Sequence, residues 1–422
     1  MVNIGLLGMG TVGTGVVEVL EKNSDLIYQR TGEKIYIKKI LVNDQTKKRS
    51  VDISNKLTVK PEEILNDDEI HIIVELIGGF QPAYDYIKKA LEKKKHVVTA
   101  NKEVISKCGR ELLEIANDNG VALLFEASVG GGIPVIRPLR YCLSGNKITE
   151  IVGIINGTTN YILSEMLDKS APFEDVLRRA QELGYAESDP TADIEGFDAA
   201  RKLAILSSLA FDSEIHPDDI HTEGITNITD KDILYAKSNG YIIKLLAISR
   251  LIEGGIEARV SPVLLPITHP LANVMGVFNS IMIKGYPIGE VIFYGQGAGK
   301  EPTASAVVGD IMEIIKDKDK HITYSICGCE TKLTPLKNTE SEFYIRIKIS
   351  NKHNMVLEIL KTLEKHRISI RSMLQEEINK DNIEVVIFTH KTAEHDLKKA
   401  IKELEDKDIS NICNIIRCEG DE

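Results

Sequence analysis

Hydrophobic and polar positions follow two rhythms in the first third of the chain. VNIGLL (2–7) is a short apolar run, and TGVVEVLEKN (14–23) repeats its apolar residues at helical spacing. KIYIKKILV (34–42) alternates as a strand does, HIIVELIGG (71–79) reads as a buried strand ending in glycine, and AYDYIKKALEKKK (83–95) returns to helical spacing. HVVTANK (96–102) predicts a strand running into a loop, ELLEIANDNG (111–120) a helix closed by glycine, and VALLFEAS (121–128) a further strand. Strands alternating with helices predict an α/β fold, a Rossmann-type doubly wound parallel sheet.

The rhythm changes near residue 130. VGGGIPVIRPLR is rich in glycine and proline and marks a crossover into a second, α+β domain, with KITEIVGIING and GIEARVSPVLLPI as its strands. GQGAGKEPTASAVVGDI, from 295, is a glycine loop opening a helix. After a polar stretch, the segment from 342 spells β-α-β-β-α-β, a small ferredoxin-like module. The expected domains are therefore 1–128, completed by 296–318; 129–295; a linker, 319–341; and 342–422.

Composition narrows the function. The 422 residues suffice for two or three domains, and 43% hydrophobic with 27% charged residues is an ordinary globular balance. A net charge of −11 argues against nucleic acid or an anionic membrane surface as partner. No run reaches membrane-spanning length and the N-terminus lacks a basic leader, so a cytoplasmic location is expected. The six cysteines are scattered, which predicts free thiols; Cys327-Gly-Cys329 lacks the second ligand pair a zinc site needs and reads as two thiols on a strand.

Two constellations carry chemistry. Gly8-x-Gly10-x-x-Gly13 follows a strand and opens a helix, the context in which this spacing binds a dinucleotide. Gly8 permits the turn, Gly10 admits a pyrophosphate, Gly13 lets helix and strand close, and the helix start with Thr11 and Val12 faces the phosphates. The bland alternative is a glycine turn without ligand. At the second strand's exit, Asp44 favours the ribose hydroxyls of NAD(H), whereas Lys47, Lys48 and Arg49 suit the 2′-phosphate of NADP(H) or are only a solvated turn. The residues leave both cofactors open.

The second constellation is GYAESDPTADIEGFDAARK (184–202). Asp198 and Lys202 share one face of the helix predicted from FDAARKLAILSSLAF, and Glu187, Asp189, Asp193 and Glu195 crowd the loop before it. A surface ion pair is the ordinary reading of i,i+4 charges. The density of acids points further: carboxylates keep an ammonium protonated, ready to donate to an oxygen gaining negative charge, and the surplus suits a substrate ammonium.

GLLGMGTVG, TANKEV, FEASVGGGIPVI, GIINGTTNYIL, GYAESDPTADIEGFDAARKLAIL and GQGAGKEPTASAVVGDI together resemble homoserine dehydrogenases over about residues 1–320. The resemblance implies interconversion of L-aspartate 4-semialdehyde and L-homoserine with NAD(P)H, on the route to threonine, methionine and isoleucine. It implies Lys202 as proton donor, Lys102 as a second active-site lysine beside the nicotinamide ribose, and Asp198 beside the reacting carbonyl. Glu187 and Asp193 would hold the substrate amine, with Asn156, Gly157 and Thr158 as a substrate-side loop. Gly297 and Gly299 would close over the cofactor. EASVGGGIP resembles the family's monovalent-cation (Na⁺) site, with the Val129, Gly131 and Ile133 carbonyls as ligands and Glu126 nearby. A homodimer or homotetramer is implied, with 129–295 as the α+β substrate-binding and dimerisation domain. The C-terminal module resembles an ACT domain, but its first turn reads Asn351-Lys352-His353-Asn354-Met355 where the family has Asp-x-Pro-Gly, which puts an amino-acid effector there in doubt. Competing readings are another amino-acid-linked dehydrogenase and an amino-acid-binding regulator without catalysis.

Overall fold

The β-branched runs of the first third form the predicted parallel strands. In the computed structural model, which describes residues 1–317, 332–352, 354–406 and 410–420, six parallel strands lie in the order 57–58, 35–41, 2–7, 72–75, 96–99, 123–124. This order has its topological switch at the strand carrying the glycine loop, where such sheets bind ligands. Ile4, Leu6, Ile72, Ile73, Val97 and Val98 are buried along the central strands, as expected of a sheet covered on both faces.

Two expectations are corrected here. The helix predicted at 111–120 begins earlier and spans Lys102–Asp118, with non-helical backbone at Cys108. The strand predicted over 121–128 pairs only at Leu123–Leu124 and then coils into a 3₁₀ turn, Glu126–Ser128. Glu126 causes the break: its carboxylate turns back to accept hydrogen bonds from the backbone N–H groups of Val135, Ile136 and Arg137 at 2.6, 2.9 and 2.7 Å.

The chain divides into two units. The first comprises 1–151, 201–219 and 279–331. Besides the parallel sheet it holds helix Lys300–Lys316, packed on helix Thr11–Lys22. The second comprises 152–200, 220–278 and 332–422. Within it, strand Tyr241–Ile252 pairs antiparallel with Gly255–Pro266, which pairs parallel with Ser410–Cys418 at Val263–Arg417 and Leu264–Cys418. Strand Ser410–Cys418 continues antiparallel to Glu340–Ser350, which pairs with Asn382–Thr389, which pairs with Ile370–Asn379. Helices Met355–Lys365 and Glu394–Asp406 cover a core of Phe343, Ile345, Ile359, Leu363, Val385 and Leu397. The C-terminal segment is thus continuous with the sheet of the second unit.

Cys327 and Cys329 lie outside the described residues, as does much of the polar stretch before 332. Cys108, Cys142, Cys413 and Cys418 form no disulfide among the described residues. Among the described residues no helix is long and apolar enough to cross a membrane, and no group of three or more His, Cys, Asp or Glu side chains is placed to hold a metal.

Candidate active site

The glycine loop has the geometry its spacing predicts. Gly8 has φ +101°, and a Cβ there would stand 2.7 Å from the Leu76 carbonyl oxygen. A Cβ on Gly13 would stand 2.5 Å from the Gly8 oxygen, so only glycine lets the helix start so close to the turn. Gly10 caps helix Thr11–Lys22 and faces open space, which leaves the first-turn N–H groups approachable. Gly15, which the sequence reading passed over, belongs to the same device: a Cβ there would meet the Lys300 backbone oxygen at 2.8 Å.

Asp44 is turned into its own loop. Its carboxylate accepts bonds from the Thr46 backbone N–H (2.7 Å) and hydroxyl (2.6 Å), and the hydroxyl above all lowers its pKa. Arg49 donates to the backbone oxygens of Asp44 and Lys47, both at 2.7 Å, while Lys47 and Lys48 are exposed.

Lys102 is the first residue of its helix, and a buried relay fixes that start. Glu75 accepts bonds from the Thr99 hydroxyl (2.6 Å) and the Ile77 N–H (2.7 Å). Thr99 accepts from the Asn101 N–H. The Asn101 side chain caps the Glu103 and Val104 N–H groups and donates to the Gly79 oxygen at 2.7 Å. Burial pushes the Glu75 carboxyl above its usual range. Neither Glu75 nor Asn101 was singled out from sequence, although an asparagine just before a helical run is an N-cap signal.

The two glycine loops of the first unit abut. A Cβ on Gly131 (φ +56°) would lie 2.5 Å from the Gly297 oxygen, and Gly132 N–H donates to the Gln296 oxygen at 3.2 Å. Gly299 caps helix Lys300–Lys316. Asn279 packs against Gly297 with its side-chain amide buried and without a hydrogen-bond partner among the described residues. The Glu126 backbone N–H is anchored to the fully buried Asp310 at 3.0 Å.

The second unit organises the acid-rich loop around Asn156. The Asn156 side chain caps helix Gly157–Lys169 by accepting from the Thr159 N–H (2.9 Å). Its amide donates to Asp193 (2.7 Å) and Asp198 (2.9 Å). One amide therefore unites two of the predicted acids and the predicted substrate-side loop. Thr158 donates its hydroxyl to the Tyr185 oxygen at 2.7 Å, which ties the helix start to the front of the acid-rich loop. Glu187 is exposed and outside this cluster, while Asp193 is half-buried. Asp189 is occupied with Thr191. Asp198 and Lys202 stand one turn apart on helix Phe197–Ala210, 3% and 9% exposed, so both are far more buried than a surface ion pair would be.

Behind Asn156, the buried Lys244 donates to Asn160 Oδ1 (3.0 Å) and to the Val274 oxygen (2.5 Å). Burial pushes its ammonium down to about 8. A lone lysine in an apolar strand gave no signal of this support.

The homoserine dehydrogenase family profile matches residues 134–312, and that of the homoserine dehydrogenase NAD-binding domain matches 8–126. The homoserine dehydrogenase of Bacillus subtilis is 39% identical, over 99% of this chain and 98% of its own. The crystal structure of a homoserine dehydrogenase from Thiobacillus denitrificans superposes with TM-score 0.93 at 40% identity, covering 99% of this chain and 98% of that one. A hyperthermophilic archaeal homoserine dehydrogenase in complex with NADPH, 29% identical, superposes with TM-score 0.63 over 74% of this chain and 97% of that one. The chain belongs to the homoserine dehydrogenase family.

Proposed function

We propose that the protein interconverts L-aspartate 4-semialdehyde and L-homoserine as an NAD(P)-dependent homoserine dehydrogenase, with Lys202 as proton donor. The observation that carries this reading is the Asn156 amide holding Asp193 and Asp198 together, with Lys202 one turn beyond Asp198 on the same helix.

The nicotinamide, when bound, supplies or accepts the hydride. Gly8, Gly10, Thr11, Val12 and Gly13 would hold the pyrophosphate at the helix start, and Gly297 and Gly299 would flank the cofactor. Lys102, at the first position of its helix, would contact the nicotinamide ribose. Lys202 gives its proton to the carbonyl oxygen as that oxygen gains alkoxide character, and takes one back in the reverse direction. Asp198 orients and keeps Lys202 charged. Asp193 and Glu187 bind the substrate ammonium, and Gly157 and Thr158 form the facing wall.

Both cofactors serve on this reading. Asp44 needs only to exchange its Thr46 bonds for ribose hydroxyls, and Arg49 lies in the same loop to meet a 2′-phosphate. A monovalent cation, Na⁺, fits the turn at 129–133. The Val129, Gly131 and Ile133 carbonyls would be its ligands, Glu126 would supply charge from behind its three N–H bonds, and the unpartnered Asn279 amide supports an oxygen-rich cradle.

Residues 342–422 are read as an ACT-like module. Asn354, at φ 70°, stands in the left-handed position, and asparagine tolerates that conformation better than most residues. Met355 begins the helix there, so no effector is assigned to this turn. Self-association is supported by the exposed Ile288, Ile292 and Tyr294 on and beside strand Gly289–Gln296.

The test is purified protein assayed with homoserine and each oxidised cofactor. Homoserine-dependent reduction that disappears in Lys202→Ala is expected. Cofactor binding without turnover would instead identify a non-catalytic regulator.

A further inference from the structure

Strands Ile72–Glu75 and His96–Thr99 are neighbours in the parallel sheet, with Glu75 opposite Thr99, so the loops that leave them lie side by side. This is the edge at which such sheets bind ligands. One loop carries Gly78 and Gly79, and the other delivers Lys102. Glu75, fully buried, stands between them and has no part in the catalytic assignments above.

Its two carboxylate oxygens serve different loops. Oε1 accepts from the Ile77 N–H at 2.7 Å, and Oε2 accepts from the Thr99 hydroxyl at 2.6 Å. That hydroxyl has then given its only hydrogen, so a lone pair is left to accept from the Asn101 N–H at 2.9 Å. Asn101 in turn accepts from the Glu103 and Val104 N–H groups, at 3.2 and 3.1 Å, and so caps the helix that Lys102 begins. Donors and acceptors therefore run in one direction, from the start of that helix to Glu75. The series ends on a group that must accept at both oxygens.

The two loops are not equally dependent on this series. The loop after Glu75 has its own hold on the glycine turn: the Leu76 N–H donates to the Leu7 oxygen at 2.8 Å, and a Cβ on Gly8 would stand 2.7 Å from the Leu76 oxygen. Residues 99–101 are tied to that loop by Glu75, by the Asn101 amide on the Gly79 oxygen at 2.7 Å, and by a longer bond, 3.4 Å, from the Ala100 N–H to the Glu75 backbone oxygen. Stability alone does not call for a carboxylate here, since an apolar pair of the same shape avoids the cost of burying charge.

We infer that Glu75 is a positioning residue for Lys102: by accepting at both carboxylate oxygens it orders Thr99 and Asn101, and so sets where the first turn of helix Lys102–Asp118 stands relative to the glycine turn. The inference rests on the reading that Lys102 meets the nicotinamide ribose.

Glu75→Gln keeps the shape and breaks the direction of the series. Whichever way the amide turns, its NH₂ faces either the Ile77 N–H or a Thr99 hydroxyl whose own hydrogen then loses its acceptor. Calorimetric titration of NADPH into cofactor-free protein should give a several-fold higher Kd than in wild type. In turnover, kcat/KM should fall by roughly 10–100-fold, the scale of an ångström's misplacement of a contacting group. Thr99→Val, which removes the hydroxyl, should match both changes, and Thr99→Ser, which keeps it, should stay close to wild type. The deciding comparison is made in Lys102→Met, where adding Glu75→Gln should change neither Kd nor kcat/KM further, because the residue it positions is gone. The same cycle with Thr99→Val decides the matter if Glu75→Gln does not fold. Equal losses in both backgrounds, or wild-type Kd and kcat/KM in Glu75→Gln, overturn the inference and leave Lys102 in its role. A Lys102→Met protein indistinguishable from wild type overturns the assignment of Lys102, and the inference with it.

Discussion

Arg346 lays its guanidinium along the carboxylate of Asp232, Nε to Oδ1 at 2.7 Å and Nη2 to Oδ2 at 3.1 Å. Both side chains are buried, and Asp232 also closes the capping box of helix Asp230–Ser238 with Thr229. The Tyr344 hydroxyl and the Asn414 amide donate to the same carboxylate, each at 3.0 Å. Burial alone would raise the Asp232 carboxyl, but Arg346 and Asn414 hold it below its usual range. One aspartate outside the C-terminal segment thus organises three residues inside it.

That relationship predicts how the C-terminal segment responds to damage. Arg346→Met leaves a buried anion without its countercharge and should cost about 3–5 kcal/mol, read as a lower denaturant midpoint. Deleting 342–422 should yield aggregated or unfolded protein, because it strips Asp232 and uncovers strand Gly255–Pro266. A soluble truncation with wild-type melting behaviour would show that the segment is an appendage.

Lys202→Ala should reduce kcat by roughly 10²–10⁴ with the cofactor KM little changed. Arginine there should not restore turnover, because a guanidinium does not release its proton at neutral pH. Near-normal kcat in the alanine variant would reduce Lys202 to an ion-pair partner.

Asp193→Asn and Glu187→Gln should chiefly raise the KM for homoserine. A substrate analogue lacking the amine should react poorly with wild type and lose less in these variants. Asn156→Ala should weaken kcat/KM by more than either, since it releases two acids and a helix cap worth about 0.5–2 kcal/mol. Equal losses for substrate and analogue would remove the acids from amine binding.

Glu419 sets part of the acid stability. Burial raises its carboxyl, but the charges of Arg259 and Arg250 prevail and bring it from 4.5 down to about 2. A carboxyl depressed on folding stabilises the protein above its unfolded pKa. That contribution, roughly 3 kcal/mol, is full above about pH 4.5 and is lost as pH falls toward 2. Glu419→Gln should lower stability at pH 7 and converge with wild type near pH 2 in denaturant titrations. Parallel curves at every pH would rule this linkage out.

Cofactor choice turns on one loop. Arg49→Ala should raise the KM for NADPH while sparing NADH, and Asp44→Ala should do the reverse. An NADPH KM more than about a hundredfold above that for NADH in wild type, near 3 kcal/mol, would make Lys47, Lys48 and Arg49 ordinary surface.

What the sequence determined by itself was local. Gly8, Gly10 and Gly13 are legible because a tight turn into a helix admits few other residues, and the alternating runs around them order the parallel sheet. Asp198 and Lys202 are legible as a pair because helical geometry places them one turn apart whatever the rest of the chain does. Tertiary structure decided the rest, through contacts with no local period. Asn156 joins Asp193 and Asp198 across 37 and 42 residues, and Glu126 cuts its strand short by capping a turn nine residues on. Asp232 meets Arg346 across 114 residues. The segment after 342 has the pattern of a separable module, yet strand Ser410–Cys418 carries hydrogen bonds on both edges, to Glu340–Ser350 and to Gly255–Pro266. Periodicity shows which face of a strand is apolar; only the assembled sheet decides which neighbour satisfies its backbone.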